Sequence, residues 1–189
     1  PLTGPTDADI TVPGSKSYTN RALLVAALAV GKSTLTGALF SDDTAYMSAA
    51  LRELGVDIVA NQDACQFDVV GNGGIIPVNE ATLYIGNAGT AARSLISYVA
   101  LGDGRYVIDW DEPMRKSRPI IDLLEALAQL GVDAKSVNDN GCLPVIVNAN
   151  GFSGGRTKLD ASKSSQFLTS LMLTAPYTRR SRSSGPAAK

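Results

Sequence analysis

Histidine is absent from this 189-residue chain, which excludes Ser-His-Asp and Cys-His nucleophile chemistry within it. Cysteine is scarce. Cys65 and Cys142 sit in strand-like contexts of different repeats, so buried free thiols are expected rather than a disulfide. Two thiols without histidine make a poor zinc site, and no metal is expected. There is no excess of charge of either sign: 17 basic residues face 18 acidic ones, for a net charge of −1. That balance argues against nucleic acid as the main partner. Long apolar runs are missing too. The longest, residues 22–30, is far shorter than the roughly 20 residues a membrane helix needs, so no membrane partner is expected. What remains is 44% hydrophobic, enough for one good-sized domain with a real core.

The most informative segment is Pro13-Gly14-Ser15-Lys16-Ser17-Tyr18-Thr19-Asn20-Arg21, which runs into an apolar helix. A strand is predicted just before it, at Ile10-Thr11-Val12. Backbone N–H groups are unpaired at a helix N-terminus and the helix dipole is positive there. Such an end suits an anion, and Lys16, Ser17 and Arg21 add charged and neutral donors. The plainer reading is a Ser/Thr cap ahead of an ordinary helix.

The arrangement recurs. Gly86-Asn87-Ala88-Gly89-Thr90-Ala91-Ala92-Arg93 follows a strand-like stretch at 82–85 and leads into an apolar run at 95–101. A third copy, Ser162-Lys163-Ser164-Ser165-Gln166, precedes a run at 167–173. Leu23, Leu95 and Leu168 align at spacings of 72 and 73 residues. A second helix repeats as well: 50–57 matches 126–133, and each copy ends in a glycine (Gly55, Gly131) followed by a short valine-containing strand.

Each unit therefore reads βαβαββ. Further strands are predicted at 33–36, 56–59, 67–70, 106–109, 132–135 and 145–147, and amphipathic helices at 43–54 and 119–130. The expected fold is α/β, with repeated units whose helices pack inward against sheets. The helices at 22–30 and 95–101 are apolar nearly all round, which fits burial on more than one side. Gly31-Lys32-Ser33-Thr34 imitates the end of a phosphate-binding P-loop, but Ala26 stands where its first glycine belongs and a strand follows. Asp42-Asp43 opens a helix after Ser41, where capping and the helix dipole explain it.

These segments resemble the N-terminal part of the 5-enolpyruvylshikimate-3-phosphate synthase family. The matching stretches are 13–21, Ser41-Asp42-Asp43-Thr44, 86–91, 114–119 and 164–176, in that order, so the resemblance covers roughly residues 8–177. The related UDP-N-acetylglucosamine enolpyruvyl transferases lack the Ser-Lys-Ser and Ser-Ser-Gln combination. RNA 3′-terminal phosphate cyclases need a histidine that this chain does not have.

The resemblance implies an inside-out α/β domain of 1–177, with units at about 8–75, 78–150 and an incomplete third at 156–177. It implies transfer of the enolpyruvyl group of phosphoenolpyruvate to the 5-hydroxyl of shikimate 3-phosphate, through a tetrahedral intermediate that expels phosphate, with no cofactor. By resemblance Lys16 touches both substrates and is the catalytic residue. Ser17 and Arg21 hold shikimate phosphate, and Gly89 and Arg118 face phosphoenolpyruvate with Thr90 beside them. Ser164 and Ser165 bind the 3-phosphate, with Gln166 over the shikimate ring. Asn20 and Arg93 match motif positions, and a structural role is the alternative for both.

Three departures qualify this. Ser94 replaces the family's usual proline, from which reduced sensitivity to glyphosate, an occupant of the phosphoenolpyruvate site, is expected. Met114-Arg115 inverts the usual Arg-Met order, so only Arg118 is carried over. The chain is also less than half the family's usual length. The C-terminal domain, with its general-base carboxylates, is an expected partner, and the chain alone is expected to be silent: an anion-binding half-site. The basic, small-residue stretch 178–189 reads as a disordered or excised tail. A cytoplasmic location is expected from the enzyme class and the lack of a leader ahead of the first predicted strand.

Overall fold

The computed structural model describes residues 4, 7, 9–112 and 114–178, with the side chain of Met114 left aside. Of the expected tail at 178–189, all but Thr178 lies outside the described residues.

In chain order the elements are α1 (Lys16–Leu28), β1 (Val30–Leu35), α2 (Asp42–Glu53), β2 (Asp57–Asn61), β3 (Gln66–Asn72), β4 (Glu80–Tyr84), α3 (Gly89–Val99) and β5 (Asp103–Asp109). Then follow α4 (Met114–Ser117), α5 (Ile121–Gln129), β6 (Asp133–Ser136), β7 (Val145–Asn150), α6 (Ser165–Thr174) and a 3-10 turn, Ala175–Tyr177. The strands make two sheets. One is antiparallel throughout, in the order β1-β3-β2, and the other runs β4-β5-β7-β6. In the second sheet β4 and β5 are parallel, with Leu83 opposite Ile108, and the remaining pairs are antiparallel. A parallel pair needs a crossover, and α3 supplies it.

The second sheet with α3 and α5 completes the βαβαββ order, with α4 inserted. The first sheet lacks its opening strand. Residues 10–12 form no strand, and Ile10 and Val12 are 82% and 77% exposed. The prediction there was wrong for a non-local reason. An apolar run becomes a strand only where a sheet edge takes its hydrogen bonds, and β1 has no neighbour on its outer side among the described residues.

Helices line the interior, as the all-round apolar pattern requires. In α3, Ala91, Ala92 and every residue from Ser94 to Val99 are buried. In α1, Leu23, Leu24, Ala27 and Leu28 are buried while Val25 is half-exposed. They share one core with Phe67 and Val69 of β3, Tyr106 and Ile108 of β5, and Val145 and Val147 of β7. Each fully buried side chain of this size contributes about 1.5–3 kcal/mol.

The repeats meet face to face. The Ser97 and Ser170 hydroxyls lie 2.9 Å apart in the core between α3 and α6, and these positions are 73 residues apart, the spacing of the repeat. The second helices also end alike. Gly55 after α2 and Gly131 after α5 take φ of 89° and 82°, the left-handed conformation that lets each chain turn straight into β2 or β6.

One further expectation needs correction. Cys142 is a buried free thiol, but Cys65 is exposed, in the β2–β3 turn with φ of 49°. The polar run Asn61-Gln62-Asp63 makes that segment a turn, not a strand interior. The P-loop imitation 31–34 lies within β1, as its dismissal requires. No helix among the described residues is long and apolar enough to cross a membrane.

Candidate anion-binding site

The first turns of four helices open onto one cavity of about 430 Å³. Its lining includes Lys16 and Ser17 from α1, Asp43 from α2, Gly89 and Thr90 from α3, and Gln166 from α6. Asn87, Arg93 and Arg118 complete it. The positive dipole ends of four helices thus lie where three cationic side chains also gather.

Local chemistry fixes each entrance. The α1 start is tied down by Thr19, whose Oγ1 accepts the Leu39 N–H at 3.0 Å. At α2 the Ser41 N–H donates to Thr44 Oγ1 at 2.9 Å, so capping falls to Thr44 and leaves Asp43 free for another partner. That partner is Lys16, whose Nζ lies 3.2 Å from Asp43 Oδ2. The carboxylate is 14% exposed and the ammonium 49%. The capping and dipole reading of Asp42-Asp43 therefore omitted the main contact of Asp43.

Gly89 is the floor of the site. A Cβ there would lie 2.8 Å from Arg118 Nη1 and 2.9 Å from Arg93 Nη1. The need for glycine here is space, since two guanidinium groups converge over its Cα. The Arg93 Nη1 donates to the Gly89 carbonyl at 2.9 Å and to Gln166 Oε1 at 3.0 Å, and its guanidinium stacks over Phe167 at 5.4 Å. Its Nε is buried without a partner. Burial, and then the Arg118 charge, pull the Arg93 pKa down, yet an arginine stays cationic at neutral pH. Neither Arg93 nor Arg118 pairs with a carboxylate among the described residues. Two unneutralised guanidiniums side by side form a receptor for an anion, which the planar fork can grip bidentately.

Arg118 follows α4, and α4 is pinned by its own fork. Arg115 donates through Nε and Nη2 to the two Asp109 oxygens at 3.2 and 2.7 Å, and through Nη1 to Glu112 at 2.9 Å. These bonds, and the Asp109 charge, hold the Arg115 pKa above its ordinary value. Asn140 Nδ2 donates to the Arg115 carbonyl at 3.1 Å. The inverted Met114-Arg115 order thus gives an arginine that docks α4 on the end of β5.

Six of the sequence-predicted residues meet on the cavity: Lys16, Ser17, Gly89, Thr90, Arg118 and Gln166. Three do not line it. The Arg21 guanidinium sits 5.8 Å over the Tyr18 ring. Ser164 caps α6, its Oγ accepting the Gln166 N–H at 3.3 Å. Ser165 is exposed, its carbonyl accepting from Thr169 Oγ1 at 2.9 Å. Lys163 is turned away to Asp122, 2.8 Å distant. Sequence reasoning missed Asp43 and Asn87 and left Arg93 undecided. The lining groups offer donors and positive charge, and the one carboxylate among them is engaged with Lys16. That set suits an anion and holds no free general base.

Residues 2–184 match the family model for EPSP synthase (3-phosphoshikimate 1-carboxyvinyltransferase). The 3-phosphoshikimate 1-carboxyvinyltransferase of Trichormus variabilis is 44% identical over 179 residues, covering 95% of this chain and 42% of that protein. The Shewanella denitrificans protein of the same name is 44% identical over 174 residues, covering 92% of this chain and 40% of that protein. An EPSP synthase structure from Acinetobacter baumannii superposes with a TM-score of 0.79 at 25% identity, over 90% of this chain and 38% of that one. The chain thus spans about two fifths of the length of the relatives it matches. With its α/β fold of two sheets and its donor-lined cavity, the chain belongs to the EPSP synthase family.

Proposed function

We propose that this chain provides the shikimate 3-phosphate site and part of the phosphoenolpyruvate site of an enolpyruvyl transferase, and that it binds these anions without turning them over. The observation that supports this most is the convergence of four helix N-termini with Lys16, Arg93 and Arg118 on one cavity. Both substrates of the family reaction are anions, and each is matched by a part of the lining. Gly89, Thr90 and Arg118 take the carboxylate or phosphate of phosphoenolpyruvate, and glyphosate competes there. Ser17, Gln166 and the adjoining Arg21, Ser164 and Ser165 take shikimate 3-phosphate. Lys16, at the cavity mouth, reaches both.

Catalysis needs a proton to be moved at the hydroxyl and at the enol carbon, and the lining has no free group for it. The remaining three fifths of a family member is the natural source, and the C-terminal segment is the partner.

The test is reconstitution. The purified chain is mixed with a separately made C-terminal segment of the Trichormus variabilis relative, and phosphate release from phosphoenolpyruvate and shikimate 3-phosphate is followed. Release in the mixture alone is the expected result. Turnover by the chain by itself would refute the silent half-site, and no release from a mixture that associates would refute the enzymatic reading.

A further inference from the structure

Asp43 is an odd member of this site. Every other charged group on the cavity is a cation, and an acid facing an anion site weakens it. The capping box of α2 is made by Ser41 and Thr44 without Asp43, and the helix dipole accounts for an acid on this turn but not for its ion pair. Thr44 does the capping, and the Asp43 carboxylate reaches across 27 positions to Lys16. It is also the more fixed partner, 14% exposed on the first turn of α2, where the helix dipole favours a negative charge. Lys16, half-exposed at the mouth, is the one that can swing.

We infer that Asp43 is a built-in anion that occupies Lys16 in the empty cavity and competes with an incoming ligand for it, so that the site discriminates against small free anions such as inorganic phosphate. This rests on reading the cavity as the substrate site. A small anion offers little beyond its charge and must take Lys16 from Asp43 against the repulsion of that carboxylate. A larger ligand that also reaches Ser17, Thr90 and Gln166 draws on neutral hydrogen bonds that Asp43 does not oppose. Phosphate is the small anion that the family reaction releases, so the same contact disfavours its retention.

The rival explanation is a structural tie between α1 and α2, and the two differ in sign. Inorganic phosphate is titrated into the chain at low ionic strength, with Asp43→Asn, Asp43→Glu, Lys16→Ala and the Lys16→Ala/Asp43→Asn double variant. Competition predicts that Asp43→Asn binds phosphate roughly threefold to tenfold tighter. Asp43→Glu restores the weaker binding of the parent chain, and the gain shrinks when Lys16 is alanine to what loss of the carboxylate's repulsion alone supplies. Unchanged or weaker binding in a folded Asp43→Asn chain overturns the inference, as does a gain that is undiminished without Lys16.

A second measurement uses the unaltered chain, so it holds even where Asp43→Asn does not fold. The Lys16 ammonium and Asp43 carboxylate NMR signals should both move as phosphate saturates. Saturation that leaves both in place overturns competition. Shikimate 3-phosphate titrated into the unaltered chain separates the two readings. Binding there with no gain in Asp43→Asn refutes the competition alone, and no binding of either anion refutes the substrate-site reading with it.

Discussion

Arg93 Nη1 donates to Gln166 Oε1 at 3.0 Å, and the two residues are 73 positions apart, the spacing of the repeat. Equivalent positions of two repeat copies thus meet at the wall of the cavity. Gln166→Ala leaves Arg93 with the Gly89 carbonyl and an already unpartnered Nε. The expected cost is about 1–3 kcal/mol of stability, with weaker phosphate binding as the guanidinium loosens. Urea unfolding and a phosphate titration on the same variant check both effects.

One turn deeper, the Ser97–Ser170 pair is fully buried. Ser170→Ala strands the Ser97 hydroxyl and should cost about 1–3 kcal/mol, Ser97→Ala should cost less because Ser170 Oγ keeps its bond to the Phe167 carbonyl at 3.0 Å, and the double alanine replacement should cost less than the sum of the two. A double-mutant cycle by urea unfolding decides it. Strict additivity would mean that the two hydroxyls do not interact.

Gly89→Ala separates binding from stability. The atoms in the way are Arg118 Nη1, at the end of an exposed side chain, and Arg93 Nη1, which the Gly89 carbonyl and Gln166 hold. Melting temperature should fall only modestly while affinity for phosphate falls at least about tenfold, because both guanidiniums are pushed off the floor of the site. Equal affinity in the variant would show that the arginines do not converge there.

Arg115 touches nothing on the cavity, but its fork to Asp109 places Arg118. Arg115→Ala and Asp109→Asn should each weaken anion binding, and combining them should add nothing further. Asp109 also accepts the Trp110 N–H at 2.8 Å, so thermal stability is recorded alongside to separate unfolding from displacement of Arg118.

Ser94 is buried inside α3, past the turn that carries Gly89 and Thr90. Proline at 94 removes a helical N–H and bends the helix, shifting that turn. In the reconstituted enzyme, Ser94→Pro should increase inhibition by glyphosate. Identical inhibition curves would remove Ser94 from the explanation of inhibitor sensitivity.

Much of this fold was legible because its signals are local. Apolar runs at a 72–73 residue spacing placed α1, α3 and α6, and glycine after each second helix placed Gly55 and Gly131. The failures were long-range or small. Ile10-Thr11-Val12 has the composition of a strand, but only a partner edge makes one. The α4 helix is a single turn, below the length at which periodicity speaks. Within the site, Lys16, Ser17, Gly89, Thr90, Arg118 and Gln166 were readable from motif positions. The Lys16–Asp43 contact spans 27 residues and left no periodic trace. Arg93 looked like a structural tie and proved to be both a tie, to Gln166, and a wall of the cavity.

The most direct measurement is an amide NMR titration of this chain with shikimate 3-phosphate. A preformed half-site predicts saturable shifts gathered at Lys16, Ser17, Gly89, Thr90 and Gln166, and their loss in Lys16→Ala. Shifts scattered elsewhere, or no shifts in a well-dispersed spectrum, would contradict it.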